Sequence, residues 1–215
     1  MATSWGEPNN LQEAINWVDK ATRASDRFHE VWEASHRHRE EHRGDCTVYP
    51  SSNGPFLGAM AAVAGATHIL EVGCGLGYSA LWLAHGAGPD AHVETIEGDP
   101  LHAALAAGNF AAEGLASQIS ILGGRAAATM AKLKGPYDLI YFDGNPDEAI
   151  EDLDQFERLI RQGGTLLSAN LFLGVFAPDI RGLEQTAEYR RRITNADRWI
   201  TAWLHSGSTA ISARR

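Results

Sequence analysis

From residue 68 onward the apolar and polar positions fall into short runs that switch between two periods. Ile69, Leu70 and Val72 form an apolar run of strand length, and Ala80, Leu81, Leu83 and Ala84 follow at the spacing of a helix face. The switch repeats along the chain. Ala91 to Glu97 reads as a second strand, Pro100 to Glu113 as an alanine-rich helix, Ile119 to Leu122 as a third strand and Tyr137 to Phe142 as a fourth. Asp147 to Arg161 carries Ile150, Leu153, Phe156, Leu159 and Ile160 on one face; Gly163-Gly164 caps that helix, and Thr165 to Ser168 gives a fifth strand. Strands and helices at this spacing imply an α/β fold with a parallel sheet covered on both faces. The ending differs. After a loop rich in glycine and proline, Gly182 to Asn195 is a helix bearing arginines, and Trp199 to Leu204 and Thr209 to Ala213 are strands joined at His205-Ser206-Gly207-Ser208, an antiparallel hairpin.

The first third of the chain is helical by the same criterion. Asn9 or Asn10 caps a helix with Leu11, Ile15 and Val18 on one face and Trp17 beside them, and a second helix runs from Ser25 to about Glu41 with Phe28, Val31 and Trp32 as its stripe. These helices suit a cover over the sheet or a homodimer surface, which divides the chain into a cover (1–46) and a main domain (47–215). The segment SHRHREEHR holds His36, His38 and His42 among charges; without apolar support it reads as a solvated face in preference to a metal site, with a histidine folding over the site as base left open. Gly44 ends that helix, Asp45 to Gly54 is loop, and Pro55 to Ala64 is a helix leading into the first strand.

A chain of 215 residues with 44% hydrophobic content is one domain with a sizeable core. Eighteen lysines and arginines against 27 acids give a formal charge of −9, which disfavours a nucleic-acid or anionic-membrane partner and favours a small molecule. Cys46 and Cys74 show neither disulfide-framework nor metal spacing, so reduced thiols and a cytoplasmic location are the default expectation. No apolar run approaches membrane-spanning length.

Chemistry concentrates at the strand ends. Between the first strand and its helix stand Gly73, Gly75 and Gly77, and a strand, a glycine turn and a helix N-terminus make a notch that backbone N–H groups line. Glu71 lies in an otherwise apolar strand, where an unpaired carboxylate is costly, so it is expected to project toward a polar partner. Glu97 closes the second strand, where a Rossmann-like site grips ribose hydroxyls. A dinucleotide fingerprint asks for a further glycine where Tyr78 stands. Arg125 and Asp143 end the third and fourth strands, and Asn170 follows the fifth.

The stretches EVGCGLGYSALWLA, VETIEGDP, YDLIYFDGN and GGTLLSAN, with NGPFLGAM before them and DRWITAWLHSGSTAISARR after, resemble class I S-adenosylmethionine-dependent methyltransferases. More narrowly they are similar to the small O-methyltransferase family that includes catechol and caffeoyl-CoA O-methyltransferases. The resemblance covers roughly residues 47–215 and implies a Rossmann-like methyltransferase sheet, S-adenosylmethionine as cofactor and a small hydroxylated, aromatic acceptor. It places Glu71, Gly73 and Ser79 around the methionine part of the cofactor, Glu97 at the ribose, and Gly124, Arg125 and Ala126 at the adenine, with Gly75, Tyr78 and Gly98 also among the cofactor-binding residues. Asp143 falls beside the cofactor's amino group and the reacting centre. The family holds a divalent metal with two aspartates and an asparagine, assisted by a lysine. Asp143 and Asn170 match two ligands, but Ala169 replaces the second aspartate and Pro146 the lysine. The expectation is therefore a methyltransferase without obligatory metal, its base drawn from Asp143, His36 or His205. Transfer to nitrogen, or a cofactor-binding fold without catalysis, are the alternatives.

Overall fold

The computed structural model describes residues 6–42, 46, 48–51, 53–172, 183–204 and 209–215. Gly44, residues 173–182, where a loop was expected, and His205, expected in a turn, lie outside them. Three helices precede the sheet: α1 (Leu11–Ala24), α2 (His29–Glu41) and α3 (Gly54–Val63). The Asn10 side chain accepts the Glu13 N–H at 3.0 Å to start α1, and Asn53 caps α3 in the same way through Phe56. Helix α2 begins later than the expected Ser25, because the Asp26 carboxylate accepts the Phe28 N–H at 3.2 Å and holds the preceding residues in a bend.

The α/β alternation then follows: β1 (His68–Val72), α4 (Tyr78–Ala87), β2 (His92–Glu97), α5 (Pro100–Ala112), β3 (Ile119–Gly123), α6 (Ala126–Met130), β4 (Tyr137–Phe142), α7 (Ala149–Leu159), β5 (Ile160–Ser168), α8 (Leu183–Ile193), β6 (Trp199–Trp203) and β7 (Ala210–Arg214). The seven strands run β3-β2-β1-β4-β5-β7-β6, with the first five parallel and β7 antiparallel to both neighbours. Side chains alternate across the sheet. Ile69, Leu139 and Tyr141 face the layer of α3, α4 and α5, while Leu70, Val72, Ile140 and Phe142 face that of α6, α7 and α8.

Two expectations are corrected. Gly163-Gly164 does not cap α7: that helix stops at Leu159, β5 starts at Ile160, and the glycines sit where its register against β4 slips. The short helix α6 follows β3 after Gly124 and Arg125, in a stretch where the periodicity predicted no element.

The helices α3 and α4 approach through glycine. A Cβ on Gly86 would stand 2.0 Å from the Gly58 carbonyl oxygen and 2.5 Å from Gly58 Cα. Gly86→Ala must therefore push the helices apart, and an overpacking cost of about 3 kcal/mol against backbone, set beside alanine's gain of about 1 kcal/mol in helix propensity, leaves a net loss of about 2 kcal/mol. The expected result is a Tm lower by roughly 3–10 °C; an unchanged melting curve would refute this packing argument.

The cover is anchored unevenly. Phe28 is fully buried and meets Trp82 edge-on at 5.2 Å between ring centroids, whereas Leu11, Ile15 and Val18 of α1 are exposed. Among the described residues no helix is long and apolar enough to cross a membrane.

Candidate active site

The strand order reverses between β1 and β4, which opens a crevice outside their carboxyl ends. Backbone bonds close its floor: the Asp143 N–H donates to Val72 O at 2.9 Å, and the Gly73 N–H to Ile96 O at 3.2 Å. Gly73 has φ +98°, and a Cβ there would lie 2.6 Å from the Asp143 carbonyl oxygen, so only glycine lets the two strand ends meet. Above this floor is a cavity of about 600 Å³. Of the residues singled out in the sequence, Gly73, Gly75, Tyr78, Ser79, Glu97, Gly98, Gly124, Arg125, Ala126, Asp143 and Asn170 all line it. Gly77 does not. Its missing side chain makes room for Phe110 of α5, whose ring would stand 2.4 Å from a Cβ.

Glu71 lies beneath the cavity, fully buried on the α4 side of β1. Thr95, its register partner on β2, donates its hydroxyl to Glu71 Oε2, while Oε1 has no partner. Burial pushes this carboxyl up to about 8; the Ser79 and Thr95 hydroxyls pull it back, and the charges of Asp143 and Glu97 add to the rise. Burial likewise raises Asp143 to about 7, against the hydrogen bond from the Tyr141 hydroxyl to its Oδ2 at 3.0 Å. No cationic side chain is among the groups that shift either acid. The crevice thus holds two acids that keep their protons toward neutrality because the protein supplies no counter-charge. A ligand bearing an ammonium and a sulfonium supplies one.

Glu97 holds the turn that shapes the cavity. Its Oε2 accepts the Gly75 N–H at 2.8 Å and its Oε1 the Asp99 N–H at 2.9 Å, leaving each oxygen a further lone pair for a diol. Across the mouth, Arg125 reaches from the end of β3 to Glu148 at 2.9 Å and Glu151 at 2.7 Å, so its guanidinium is committed to a surface ion-pair network. Tyr78 lines the cavity, but its hydroxyl donates to Asp26 Oδ2 at 2.8 Å, and Trp82 Nε1 donates to Asp26 Oδ1 at 3.1 Å. Asp26 therefore ties the cover to α4. No sequence motif marks this residue.

The two carboxyl-proximal positions Asp143 and Asn170 touch one another. Asn170, at φ +60°, directs its Nδ2 to Asp143 Oδ1, so its amide donor faces the carboxylate. The adjoining Ala169 packs its methyl against the α4-side apolar layer, and its N–H donates to Phe142 O at 2.8 Å. A hard divalent cation asks for several convergent oxygens. One carboxylate and an amide turned to donate do not form that set, and the donors present do not fit the metal that the resemblance implied.

The O-methyltransferase family profile matches residues 22–201. The chain belongs to the O-methyltransferase family. A catechol O-methyltransferase of Mycobacterium tuberculosis is 34% identical over 125 residues, covering 58% of this chain and 57% of that protein. Another protein of that organism, Rv1220c, assigned to the O-methyltransferases, is 32% identical across 85% of this chain and 84% of its own length. Among solved structures, the O-methyltransferase TomG of Streptomyces achromogenes, in complex with S-adenosylmethionine, superposes with a TM-score of 0.71 at 26% identity, covering 86% of this chain and 88% of TomG. The enzyme is a Rossmann-like, S-adenosylmethionine-dependent methyltransferase acting on a small molecule. That cofactor suits the crevice on its own terms, because the unpartnered Glu71 oxygen and the two acids without a counter-charge favour a cationic ligand.

Proposed function

We propose that this O-methyltransferase acts on a small hydroxylated aromatic acceptor without an obligatory metal, with Asp143 as the general base. The observation that carries the reading is the pairing of a buried, proton-retaining Asp143 with Asn170 and Ala169 where a hard-cation site needs carboxylates. The aromatic acceptor draws on the likeness to a catechol O-methyltransferase and on the apolar cavity wall around Val48, Tyr49 and Pro50.

In this reading the cover (1–46) closes the crevice and residues 47–215 carry the chemistry. Glu97 accepts the ribose hydroxyls, the glycine turn and the start of α4 offer N–H groups to the cofactor carboxylate, and Gly98, Gly124 and Ala126 border the adenine. When bound, S-adenosylmethionine supplies a methyl group activated on a sulfonium. Asp143 takes the acceptor's hydroxyl proton as the O–CH3 bond forms, so the base's proton affinity near neutrality matches its task. Tyr141 and Asn170 fix the carboxyl's orientation by donating to its two oxygens.

The test is methyl transfer to catechol and monophenol acceptors in chelator against magnesium. Equal rates are expected, and transfer that is lost in chelator and restored by magnesium would overturn metal independence. Methylation of amines with none of phenols would overturn the acceptor class. Ala169→Asp adds back a carboxylate beside Asn170 and is expected to tighten magnesium binding by calorimetry; no gain would mean that the remnant geometry has been lost.

A further inference from the structure

At the edge of the crevice, where His102 lines the cavity, three side chains from distant parts of the chain converge. His38 on α2, Cys46 in the following loop and His102 on α5 each present one donor atom, and these atoms lie within 4.8 Å of one another. We propose that they form a zinc site that fastens the cover to the ribose end of the cofactor crevice. It stands apart from the Asp143–Asn170 pair and does not depend on the acceptor or on metal-free chemistry at that pair.

The donor set is two imidazoles and a thiol, the ligands that a borderline-soft cation such as zinc prefers over magnesium or calcium. The Cys46 Sγ to His102 Nε2 distance is 3.7 Å. With zinc bonds of about 2.3 Å to sulfur and about 2.05 Å to nitrogen, a tetrahedral S···N edge is roughly 3.6 Å, so this pair is already spaced for a shared ion. Asp99 Oδ2 lies 3.9 Å from the same nitrogen, on the exposed side, and either it or water completes the fourth position.

The surroundings resemble the support that metal-binding histidines receive. Nδ1 of His102, the nitrogen turned away from Cys46, faces Glu97 Oε1 at 3.8 Å, where a carboxylate can hold the ring's tautomer and orientation. The rings of His38 and His102 meet edge-on at 5.2 Å between centroids, and His42 also packs against His38 at 4.3 Å. Cys46 is held in place by its N–H donating to His42 O at 3.1 Å and by the Val48 N–H donating to its sulfur at 3.4 Å. The solvated-face reading of the histidines therefore separates by residue: His36 packs at a tilt against Trp32, 4.1 Å between ring centroids, while His38 turns to His102 of the main domain.

The consequence is mechanical. One ion would join α2, Cys46 and α5 across a sequence span of 64 residues, and it would sit directly behind the acid assigned to the ribose. Zinc binding should therefore stabilise the closed cover.

The experiment is zinc titration of the full, phosphine-reduced protein against a chromophoric chelator, with melting curves on the same samples. One zinc per chain is expected, with a Tm rise of roughly 5–10 °C at saturating metal. Cobalt in place of zinc should give a near-ultraviolet thiolate charge-transfer band. Cys46→Ser and His38→Ala, neither of which lines the cofactor cavity, should weaken zinc at least about tenfold while retaining S-adenosylhomocysteine binding as proof of fold. Cys46→Ser should also abolish the cobalt band. Absence of stoichiometric zinc in the wild type would overturn the proposal. So would undiminished zinc affinity in both variants, which would place the ion elsewhere.

Discussion

Asp143→Asn is expected to lower kcat by about 10²–10⁴-fold, the range typical of losing a positioned general base. Asparagine keeps the shape of the side chain and can still meet Tyr141 and Asn170, so the crevice should remain formed. What it loses is the ability to take a proton. In the wild type, burial holds Asp143 protonated up to about pH 7. A base works only when deprotonated, so kcat should rise with pH through that region and level off above it. Glu71, raised to about 8 by burial and by its acidic neighbours, titrates in the same window, and the inflection belongs to the pair. The positive charge of bound cofactor favours the ionised forms and should move the inflection in the complex below that of the free enzyme. The measurement is the pH profile of kcat for both proteins at saturating cofactor. A variant that keeps both its rate and its inflection would show that the proton goes elsewhere, with His36 and His205 the next residues to replace.

The fold was legible because each parallel strand is a compact apolar run followed by turn chemistry, and that pattern survives without knowledge of neighbours. The strands β1, β2, β3 and β4 and the terminal hairpin lie where the periodicity puts them. Two failures have local causes. Five residues of α6 are too few to show a helical period, and Gly163-Gly164 makes the same mark in sequence whether it ends a helix or interrupts a strand register. Strand ends collect in one crevice by topology alone, which is why Gly73, Glu97 and Asp143 could be named together. The residues missed act across the chain. Asp26 is an unremarkable acid between two helices until it accepts from Tyr78 and Trp82, more than 50 positions away. Cys46 showed no metal spacing because His102, its partner in space, is 56 residues distant. Gly77 illustrates the converse: the motif drew it into the cofactor turn, and its space is filled by Phe110.

Glu97→Ala is expected to weaken S-adenosylhomocysteine binding by roughly 10- to 150-fold, since hydrogen bonds to a charged group contribute about 1.5–3 kcal/mol. Two effects combine in that loss. The carboxylate's free lone pairs are the assigned acceptors for the ribose diol, and its occupied ones fix Gly75 at 2.8 Å and Asp99 at 2.9 Å. Removing it therefore deletes a ligand contact and slackens the turn that carries the other contacts. Glu97→Gln separates the two. Its amide oxygen can still accept from one backbone N–H, but its NH2 cannot accept, so the glutamine variant should bind with intermediate affinity. The fold should survive both changes, because Glu97 sits at the end of β2 and the apolar layers on either side of the sheet do not include it. Calorimetry with S-adenosylhomocysteine alongside melting curves tests this directly. Equal affinity in all three proteins would remove Glu97 from the ribose, whereas equal losses in both variants would mean that its charge, and not its second acceptor oxygen, is what holds the cofactor.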